Sequence, residues 1–362
     1  MNRRTALTVA GAAAVFGVAG YWRQVQAADL YIATSAAIRS PLDLTATGAD
    51  RLAELVRMAS LAPNSHNTQG WTFTPLPDGI LLAVDRDRRT PVVDPDDHHL
   101  YVSLGASVET MIHAATAYGI TATPMVMPDG TVALGFADGA TPSPLLPAIL
   151  ARQSHRGLFD GTPLTNAERA TLRGADPDLR LIEDATTRAA LRGLTVAAYA
   201  AQLADSAYRA ELKSWLRFSQ GAALETHDGL FSGCSGSPAL PQRLGEGLFG
   251  VLVTPAGQSE ALAAQMDSAS ALALLTSDPD TPAGWIDTGR RLQRIGLAAT
   301  QAGLAMAHIN PALETSNSRG EVARVLGVSL GRLSILLRLG RASEPMPFSL
   351  RRPPAQTLLS QR

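Results

Sequence analysis

The chain has little of several features that would place it at once in a specialised class. It has one cysteine, Cys234, in 362 residues, which excludes an intramolecular disulfide and leaves stability to packing. Aromatic residues make up 5% of the chain and charged residues 17%, with 31 basic against 32 acidic side chains. This balance provides no field that would gather nucleic acid or anionic lipid. We therefore expect no nucleic-acid partner, and we interpret Cys234 as a loop residue.

Familiar catalytic motifs are also missing or incomplete. No G-x-G-x-x-G follows a predicted strand, which argues against a built-in nicotinamide-binding domain. Residues 233–237 (GCSGS) approach a nucleophile elbow, but Ser237 stands where the motif needs glycine. Residues 94–99 (DPDDHH) include metal-ligand residue types, yet adjacent histidines rarely reach one ion, and a capped helix start is the better interpretation. We predict no metal site, and a hydrolase is the weakest of the alternatives.

The N-terminus pairs two arginines with a run of small uncharged residues. Arg3 and Arg4 precede an Ala- and Gly-rich stretch that extends to Trp22, the pattern of a twin-arginine export signal. Cleavage after Ala27 would release a periplasmic or otherwise extracytoplasmic protein, whereas an uncleaved signal would serve as a membrane anchor. The run is short for a spanning helix, which needs about 20 strongly apolar residues. Because this route exports folded proteins, a tightly held cofactor could be loaded before export.

An internal repeat divides the rest of the chain. Residues 105–120 (GASVETMIHAATAYGI) align with residues 289–304 (GRRLQRIGLAATQAGL), so that Gly105 matches Gly289 and the Ala-Ala-Thr triplets coincide. Apolar residues at helical spacing give each copy a small-residue face suited to close packing. We interpret the repeat as two copies of one unit with paired core helices; a chance likeness between two buried helices is the alternative. The Pro- and Gly-rich residues 137–147 are the predicted linker.

The periodicity of apolar residues and the turn residues predict a mixed set of elements. Helices are predicted at 49–61, 102–118, 166–173, 188–203, 208–218, 284–302 and 321–326. Strands are predicted at 72–76, 80–84, 121–127, 131–136, 250–253, 271–275, 304–309 and 332–339. Residues 228–250 are rich in Gly, Ser and Pro and long for a loop, so we interpret them as a mobile lid, with a disordered crossover as the alternative.

Two polar clusters point to an anionic cofactor. Residues 62–73 (APNSHNTQGWTF) crowd Pro, Asn and Ser into a turn before a Trp-anchored apolar segment, and such a turn can cradle a ribityl chain. Residues 152–159 (RQSHRGLF) place two arginines around a hydroxyl, as a phosphate anion requires. Together the clusters indicate one cofactor that carries a phosphate.

These clusters resemble the motifs of the nitroreductase superfamily of FMN enzymes, which carry R-R-S-x-R-x-F and, after it, A-P-S-x-x-N-x-Q-P-W-x-F. Here the order is reversed, as in the Acg-type branch, in which two nitroreductase-like halves are fused in one chain. Asn64 and Gly70 replace the usual Ser and Pro. Residues 287–304, 333–340 and 349–353 are also similar to that branch.

The resemblance implies an α+β, three-layer fold of two tandem halves, residues 40–140 and 148–354, after a signal at residues 1–27. Each half would carry a mostly antiparallel sheet flanked by helices. Because the motifs that meet at one flavin come from different subunits in superfamily dimers, a fused chain needs the reversed order. We expect one FMN per chain and a monomer.

The resemblance also implies which residues hold FMN. Arg152 and Ser154 would contact the phosphate or the ribityl chain, and Gln153 the ring edge. Arg156 would lie near N1 and O2, where its charge would raise the reduction potential. The first half would contribute Pro63, Asn64, Ser65 and Asn67.

Two later segments complete the implied site. Asn310 occupies the place where family members offer a backbone N–H to flavin N5, a contact that the following Pro311 cannot make because it has no N–H. Arg351 and Arg352 resemble the C-terminal cation that reaches the phosphate, with a basic tail as the alternative interpretation.

The function implied is that of an exported FMN-dependent oxidoreductase. The flavin would carry the chemistry, so no side chain is assigned a catalytic role. An unknown donor would reduce it, and a small electrophilic acceptor would reoxidise it. Nicotinamides are cytoplasmic, so an exported enzyme would need another donor. The alternative is an FMN-binding or FMN-sequestering protein with little turnover.

Overall fold

The structure is a computed structural model that describes residues 25–360. The predicted signal at residues 1–27 lies almost wholly outside this range, and its first described residues begin a helix, α1, over residues 25–38. Across the described range, no helix combines the length and the hydrophobicity that a membrane span requires.

The first half combines two helices with one sheet. Its strands are all antiparallel and lie in the order β1-β2-β4-β3. In β1 Trp71 and Phe73 are buried and Thr72 between them is not, because alternate side chains of a strand point to opposite faces. The elements are α2 (Gly48–Ala59), β1 (Trp71–Leu76), β2 (Gly79–Val84), α3 (His98–Ala115), β3 (Ile120–Val126) and β4 (Val132–Asp138).

The second half repeats this plan with an insertion. Its sheet is antiparallel, in the order β5-β8-β10-β9. The sheet and its flanking helices are α4 (Ala148–Ala151), α5 (Asn166–Ala175), β5 (Arg180–Ile182), β8 (Ala271–Ser277), α11 (Pro282–Gln301), β9 (Ala305–His308), α12 (Pro311–Glu314), α13 (Ser316–Leu326) and β10 (Arg332–Gly340). The insertion between β5 and β8 comprises α6 (Ala185–Ala204), α7 (Ser206–Trp215), β6 (Leu216–Arg217), α8 (Gln220–Thr226), β7 (Leu230–Phe231), α9 (Gln242–Leu252) and α10 (Pro255–Asp267).

The two sheets have the same connectivity. In each half the strand that follows the core helix, β3 or β9, lies at one edge of the sheet. The next strand in the chain, β4 or β10, lies between that edge strand and the two strands that precede the core helix. The core helices α3 and α11 pack against each other along the centre, buried over most of their length. The α+β architecture of two antiparallel, helix-flanked halves is therefore confirmed, and so is the pairing of the repeated helices.

The C-terminal segment crosses back to the first half. The N–H of Phe73 donates to the carbonyl oxygen of Thr357 (2.9 Å), and the N–H of Leu359 donates to that of Phe73 (2.7 Å). This segment extends the sheet of the first half at β1 and brings residues 349–352 beside the turn that precedes that strand.

Two local predictions were wrong. The apolar residues 250–253 are not a strand, because they end α9, whose leucines recur every four residues. Residues 228–250 are not one long loop: they contain β7, a 3₁₀ turn at Ser232–Ser235 and most of α9. Cys234 lies in that turn, buried, with its Sγ 3.6 Å from the Tyr31 hydroxyl of α1.

Candidate functional site

A cavity of about 380 Å³ opens between the two halves and adjoins a smaller one of about 50 Å³. The larger volume is typical of a small-molecule or cofactor site. Both halves line it, and the insertion covers it with side chains of α6, α7 and α10. The residues common to both cavities are Pro63, Asn64, Ser154, Arg156 and Leu230. The two predicted polar clusters thus meet at one place.

The turn from the first half has an unusual backbone. His66, Asn67 and Gln69 have φ angles of 45°, 55° and 52°, in the left-handed region that costs non-glycine residues about 1 kcal/mol or more each. The side chain of Asn64 supports the turn, because its Oδ1 accepts from the Gln69 N–H at 2.9 Å. A backbone held in this conformation is typical of a ligand-binding segment.

Asn67 joins this turn to the C-terminal segment. Its Nδ2 donates to the carbonyl oxygens of Gly229 (3.1 Å) and Leu350 (3.2 Å), and its Oδ1 accepts from Nη1 of Arg351 (2.9 Å). These contacts use the polar atoms of the Asn67 side chain. Asn67 therefore positions Arg351 beside the smaller cavity.

Three buried arginines surround the smaller cavity: Arg39 at the end of α1, Arg152 after α4, and Arg351. Arg152 Nη2 donates to the carbonyl oxygen of Leu61 (2.8 Å), while its Nε and Nη1 are buried without a partner. Arg39 Nη1 donates to the carbonyl oxygens of Leu150 (2.6 Å) and Arg152 (3.3 Å), and its Nε is also without a partner. Within residues 25–360, no carboxylate pairs with any of the three guanidinium groups.

The electrostatics of this arginine cluster favour an anion. Burial, and then repulsion from Arg351, lowers the pKa of Arg152 to about 9. Burial lowers the pKa of Arg351 to about 10, and burial with repulsion from Arg351 and Arg152 lowers the pKa of Arg39. Buried cations without counterions are costly, and an anion would relieve that cost.

The segment around Arg156 is tied to the second sheet. Ser154 bridges Met306 of β9, and the N–H of His155 donates to the Met306 carbonyl oxygen (2.9 Å). The buried Arg338 donates through Nη2 to the carbonyl oxygens of His155 (2.8 Å) and Gly157 (2.7 Å). These hydrogen bonds fix the backbone on either side of Arg156, whose side chain lines both cavities.

The side chain of Asn310 is held between a backbone group and a neighbouring histidine. Its Oδ1 accepts from the N–H of Leu336 (2.9 Å), so its Nδ2 faces Nε2 of His99 (3.2 Å) as a donor. On the other side of the ring, His99 Nδ1 lies 3.8 Å from Oδ1 of Asp94. The side chain of Asn310 is thus committed, and its backbone N–H donates to no residue in the described range. Asn310 lines the larger cavity.

Two more histidines line the larger cavity in the neutral form. Burial, followed by repulsion from Arg156 and His99, lowers the pKa of His66 to about 4. Burial, followed by repulsion from Arg152, His99 and Arg156, lowers the pKa of His308 to about 3.

The structure separates the predicted site residues into groups. Pro63, Asn64, Ser154 and Arg156 line both cavities. Ser65 and Asn310 line the larger one, and Asn67, Arg152, Gln153 and Arg351 the smaller one. Arg352 lies outside both, where it donates to the carbonyl oxygens of Gln69 and Gln356.

The residues that sequence reasoning missed are Arg39, His66, His99 and His308. His66 and His99 carry a partial signal, since each lies within or next to a polar cluster already noted. Arg39 carries none, because its hydrogen-bond partners, Leu150 and Arg152, are more than a hundred residues away along the chain.

The segment at residues 94–99 caps a helix, as its sequence indicates. Asp94 accepts from the N–H groups of His99 and Leu100, both at 3.0 Å, at the start of α3. Ligand-type atoms of Asp94, His98 and His99 lie within 4.8 Å of one another. Hydrogen bonds already engage all three side chains. Asp94 accepts the capping bonds, His98 contacts Ser334, and His99 contacts Asn310.

Fold and site together define a two-halved α+β protein with a cleft between the halves that buried arginines line. The chain is 27% identical over 325 residues to a Mycobacterium tuberculosis protein provisionally named NAD(P)H nitroreductase acg, covering 84% of this chain and 94% of that one. It is also 27% identical over 328 residues to Rv3131, a second provisional NAD(P)H nitroreductase of that organism, covering 86% and 91%. These similarities confirm the predicted resemblance to the Acg-type branch of the nitroreductase superfamily. No family model matches the chain.

Solved structures with a detectable likeness include NfnB, an FMN-dependent nitroreductase from Mycobacterium smegmatis in complex with NADPH. Its TM-score is 0.40 at 18% identity, covering 59% of this chain and 96% of that one. Another is an iodotyrosine deiodinase bound to FMN and 3-iodo-L-tyrosine, with a TM-score of 0.38 at 15% identity, covering 57% and 95%.

Proposed function

We propose that the protein is an FMN-dependent oxidoreductase of the nitroreductase type, with one FMN in the cleft between its halves. The observation that carries the proposal is the arginine cluster of Arg39, Arg152 and Arg351, which is buried around the smaller cavity and has unsatisfied guanidinium N–H groups on Arg39 and Arg152. A phosphate group supplies the negative charge and acceptor oxygens that these donors lack. The adjoining larger cavity has room for a ring system.

The residues present fit the rest of the cofactor. The ribityl chain would lie along Pro63, Asn64 and Ser154, which line both cavities. The ring would lie between Arg156 and Asn310, and the free backbone N–H of Asn310 could donate a hydrogen bond to it. Arg156 is placed to stabilise negative charge on a reduced ring. Bound FMN would supply hydride or electron transfer, while this chain binds it, orients it and limits the access of water.

The electron acceptor is proposed to be a small electrophile that enters beside the insertion. The provisional names of the M. tuberculosis relatives include NAD(P)H. For this chain we propose export by the twin-arginine machinery, on the strength of Arg3 and Arg4 and the uncharged run after them. An exported enzyme would take electrons from a donor other than a cytoplasmic nicotinamide, and it would act as a monomer because one chain supplies both halves of the site.

A storage role is the second candidate, and one observation favours it. Residues of the 228–250 segment, including Leu230, Ser235 and Ser237, line the larger cavity and cover it. A closed cover would shield a bound flavin from acceptors and leave little turnover.

Turnover can be tested directly. The FMN-loaded protein is reduced under anaerobic conditions and mixed with a quinone or a nitroaromatic compound, and the return of the flavin absorption is followed by stopped flow. Reoxidation within seconds that saturates with acceptor supports the oxidoreductase. Flavin that stays reduced in the presence of every acceptor contradicts it and supports storage.

A further inference from the structure

The end of the larger cavity away from the arginine cluster has a different chemistry. Glu314, Tyr199 and Tyr208 line it there, beside the apolar side chains of Val93 and Leu212. Neither tyrosine hydroxyl has a hydrogen-bond partner among the described residues. Both tyrosines belong to the insertion, which the first half lacks. The two tyrosines at this end therefore come from the second half alone.

Glu314 lies close to the proposed position of the flavin. It is the last residue of α12 and follows Asn310 by four positions, a spacing that puts two residues on the same face of a helix. Both line the larger cavity. Asn310 and Glu314 therefore belong to one short segment of the cavity wall.

One neighbour orients this carboxyl group. Gln202 Nε2 donates to Glu314 Oε2, while Oε1 has no partner in the part of the chain that the structure describes. No arginine or lysine in that part forms an ion pair with Glu314. The titratable or polar groups that face it from the surrounding elements are Tyr199 and Gln202 of α6, Tyr208 and Glu211 of α7, and Asp94 and His99 at the start of α3.

This environment favours the acid form. Burial raises the pKa of Glu314 above its usual range, and the charges of Asp94 and Glu211 add to the effect, while His99 and the Gln202 hydrogen bond oppose it. A carboxylic acid that keeps its proton in a cavity can donate it to a ligand.

We infer that Glu314, oriented by Gln202, is the proton donor to a carbonyl-bearing electron acceptor at this end of the cavity, for which a quinone is the probe. The inference rests on the proposed function. In the step, the quinone gains two electrons and one proton as hydride from reduced flavin. The Glu314 O–H bond breaks, an O–H bond forms on the quinone to give the hydroquinone, and water returns a proton to the carboxylate.

The test compares two acceptors in the FMN-loaded protein. Benzoquinone takes up protons on two-electron reduction, whereas ferricyanide takes one electron and no proton. In Glu314→Gln, the rate of flavin reoxidation by benzoquinone is expected to fall by about 10²-fold, while the rate with ferricyanide stays the same. The wild-type rate with benzoquinone should fall as pH rises through the pKa of Glu314, and the variant rate should not follow that titration. Glu321→Gln, at an exposed position of α13, is the matched control and should leave both rates unchanged.

A measurement without turnover checks the protonation. The infrared difference spectrum between wild type and Glu314→Gln, recorded at neutral pH without reductant, should show the carbonyl band of a protonated carboxyl group in the wild type alone. Absence of that band overturns the inference, as does equal slowing with both acceptors or an unchanged rate with benzoquinone. Failure of the wild type to bind FMN would instead overturn the proposed function, so the two failures are distinguishable.

Discussion

Gly105 of α3 and Gly289 of α11 make reciprocal contacts at the centre of the molecule. A Cβ on Gly105 would lie 1.9 Å from the carbonyl oxygen of Ile286, and a Cβ on Gly289 would lie 1.9 Å from that of Val102. The repeat aligns Gly105 with Gly289, and three positions earlier it aligns Val102 with Ile286. The two contacts are therefore the same contact made twice, as at the interface of a two-fold symmetric dimer.

This packing predicts an effect on stability. Gly105→Ala and Gly289→Ala should each lower the free energy of unfolding by about 3 kcal/mol, because a methyl group would force the two backbones apart. Gly193→Ala is the matched control, since a Cβ there meets nothing within 4 Å inside α6; it should raise stability by about 0.5–1 kcal/mol through helix propensity. Thermal unfolding followed by circular dichroism measures all three. Equal effects at the three positions would rule out the close approach.

Adjacent arginines near the C-terminus give a matched pair for cofactor binding. Arg351→Ala should weaken FMN binding by about 1.5–3 kcal/mol, because it removes a charged donor beside the phosphate. Arg352→Ala should have little effect, because Arg352 lies outside both cavities. Arg152→Ala and Arg39→Ala should resemble Arg351→Ala. Calorimetric titration of the apoprotein with FMN provides the affinities, and an Arg352 variant as weak as the Arg351 variant would refute the placement of the phosphate.

Cofactor affinity should also depend on alkaline pH. The pKa of Arg152 in the apoprotein is about 9, so the cation is fully present below that pH and is lost above it. The affinity for FMN is expected to stay constant towards pH 9 from below and to fall as pH rises beyond it. Riboflavin has no phosphate and is the control. Its affinity should not show this fall above pH 9. Parallel pH profiles for the two ligands would show that the arginine cluster does not bind the phosphate.

Two half-buried histidines predict acid sensitivity of the apoprotein. The pKa of His66 is about 4 and that of His308 about 3, against 6.5 for an exposed histidine. As pH falls from 6.5 towards these values, the unfolded chain binds protons that the folded chain does not, so stability should fall by up to about 1.4 kcal/mol per pH unit for each histidine. His66→Asn suits the left-handed backbone and should make the decline in unfolding midpoint shallower between pH 6 and roughly pH 4. An identical slope in wild type and variant would contradict this.

The sequence was most informative where local pattern and tertiary packing agree. The repeat around Gly105 and Gly289 predicted the paired helices, because small residues at helical spacing are useful only where two helices approach closely. Apolar runs separated by turn residues likewise predicted the first two strands, at residues 72–76 and 80–84. The wrong strand at residues 250–253 has the opposite cause. Three glycines lower the helix propensity of α9, and its packing through Phe249 against the insertion outweighs that local preference.

The site was predicted only as far as its motifs reach. Arg152 and Arg156 stood in a recognisable cluster, but Arg39 stood alone at the end of α1, and its role depends on contacts with Leu150 and Arg152 across the chain. Nothing in an Arg-Arg pair distinguishes Arg351, which Asn67 draws inward, from Arg352, which turns towards Gln69. No sequence pattern marked Glu314, because its raised pKa depends on burial beneath the insertion.

The most direct test is the cofactor content of the purified mature protein. Its visible absorption spectrum is recorded, the cofactor is released by denaturation, and mass spectrometry identifies and quantifies it. We predict a flavin spectrum and FMN at one molecule per chain, held where the two halves meet. No flavin band, even after incubation of the apoprotein with FMN, would contradict the account of the cleft, and two molecules per chain would contradict the single fused site.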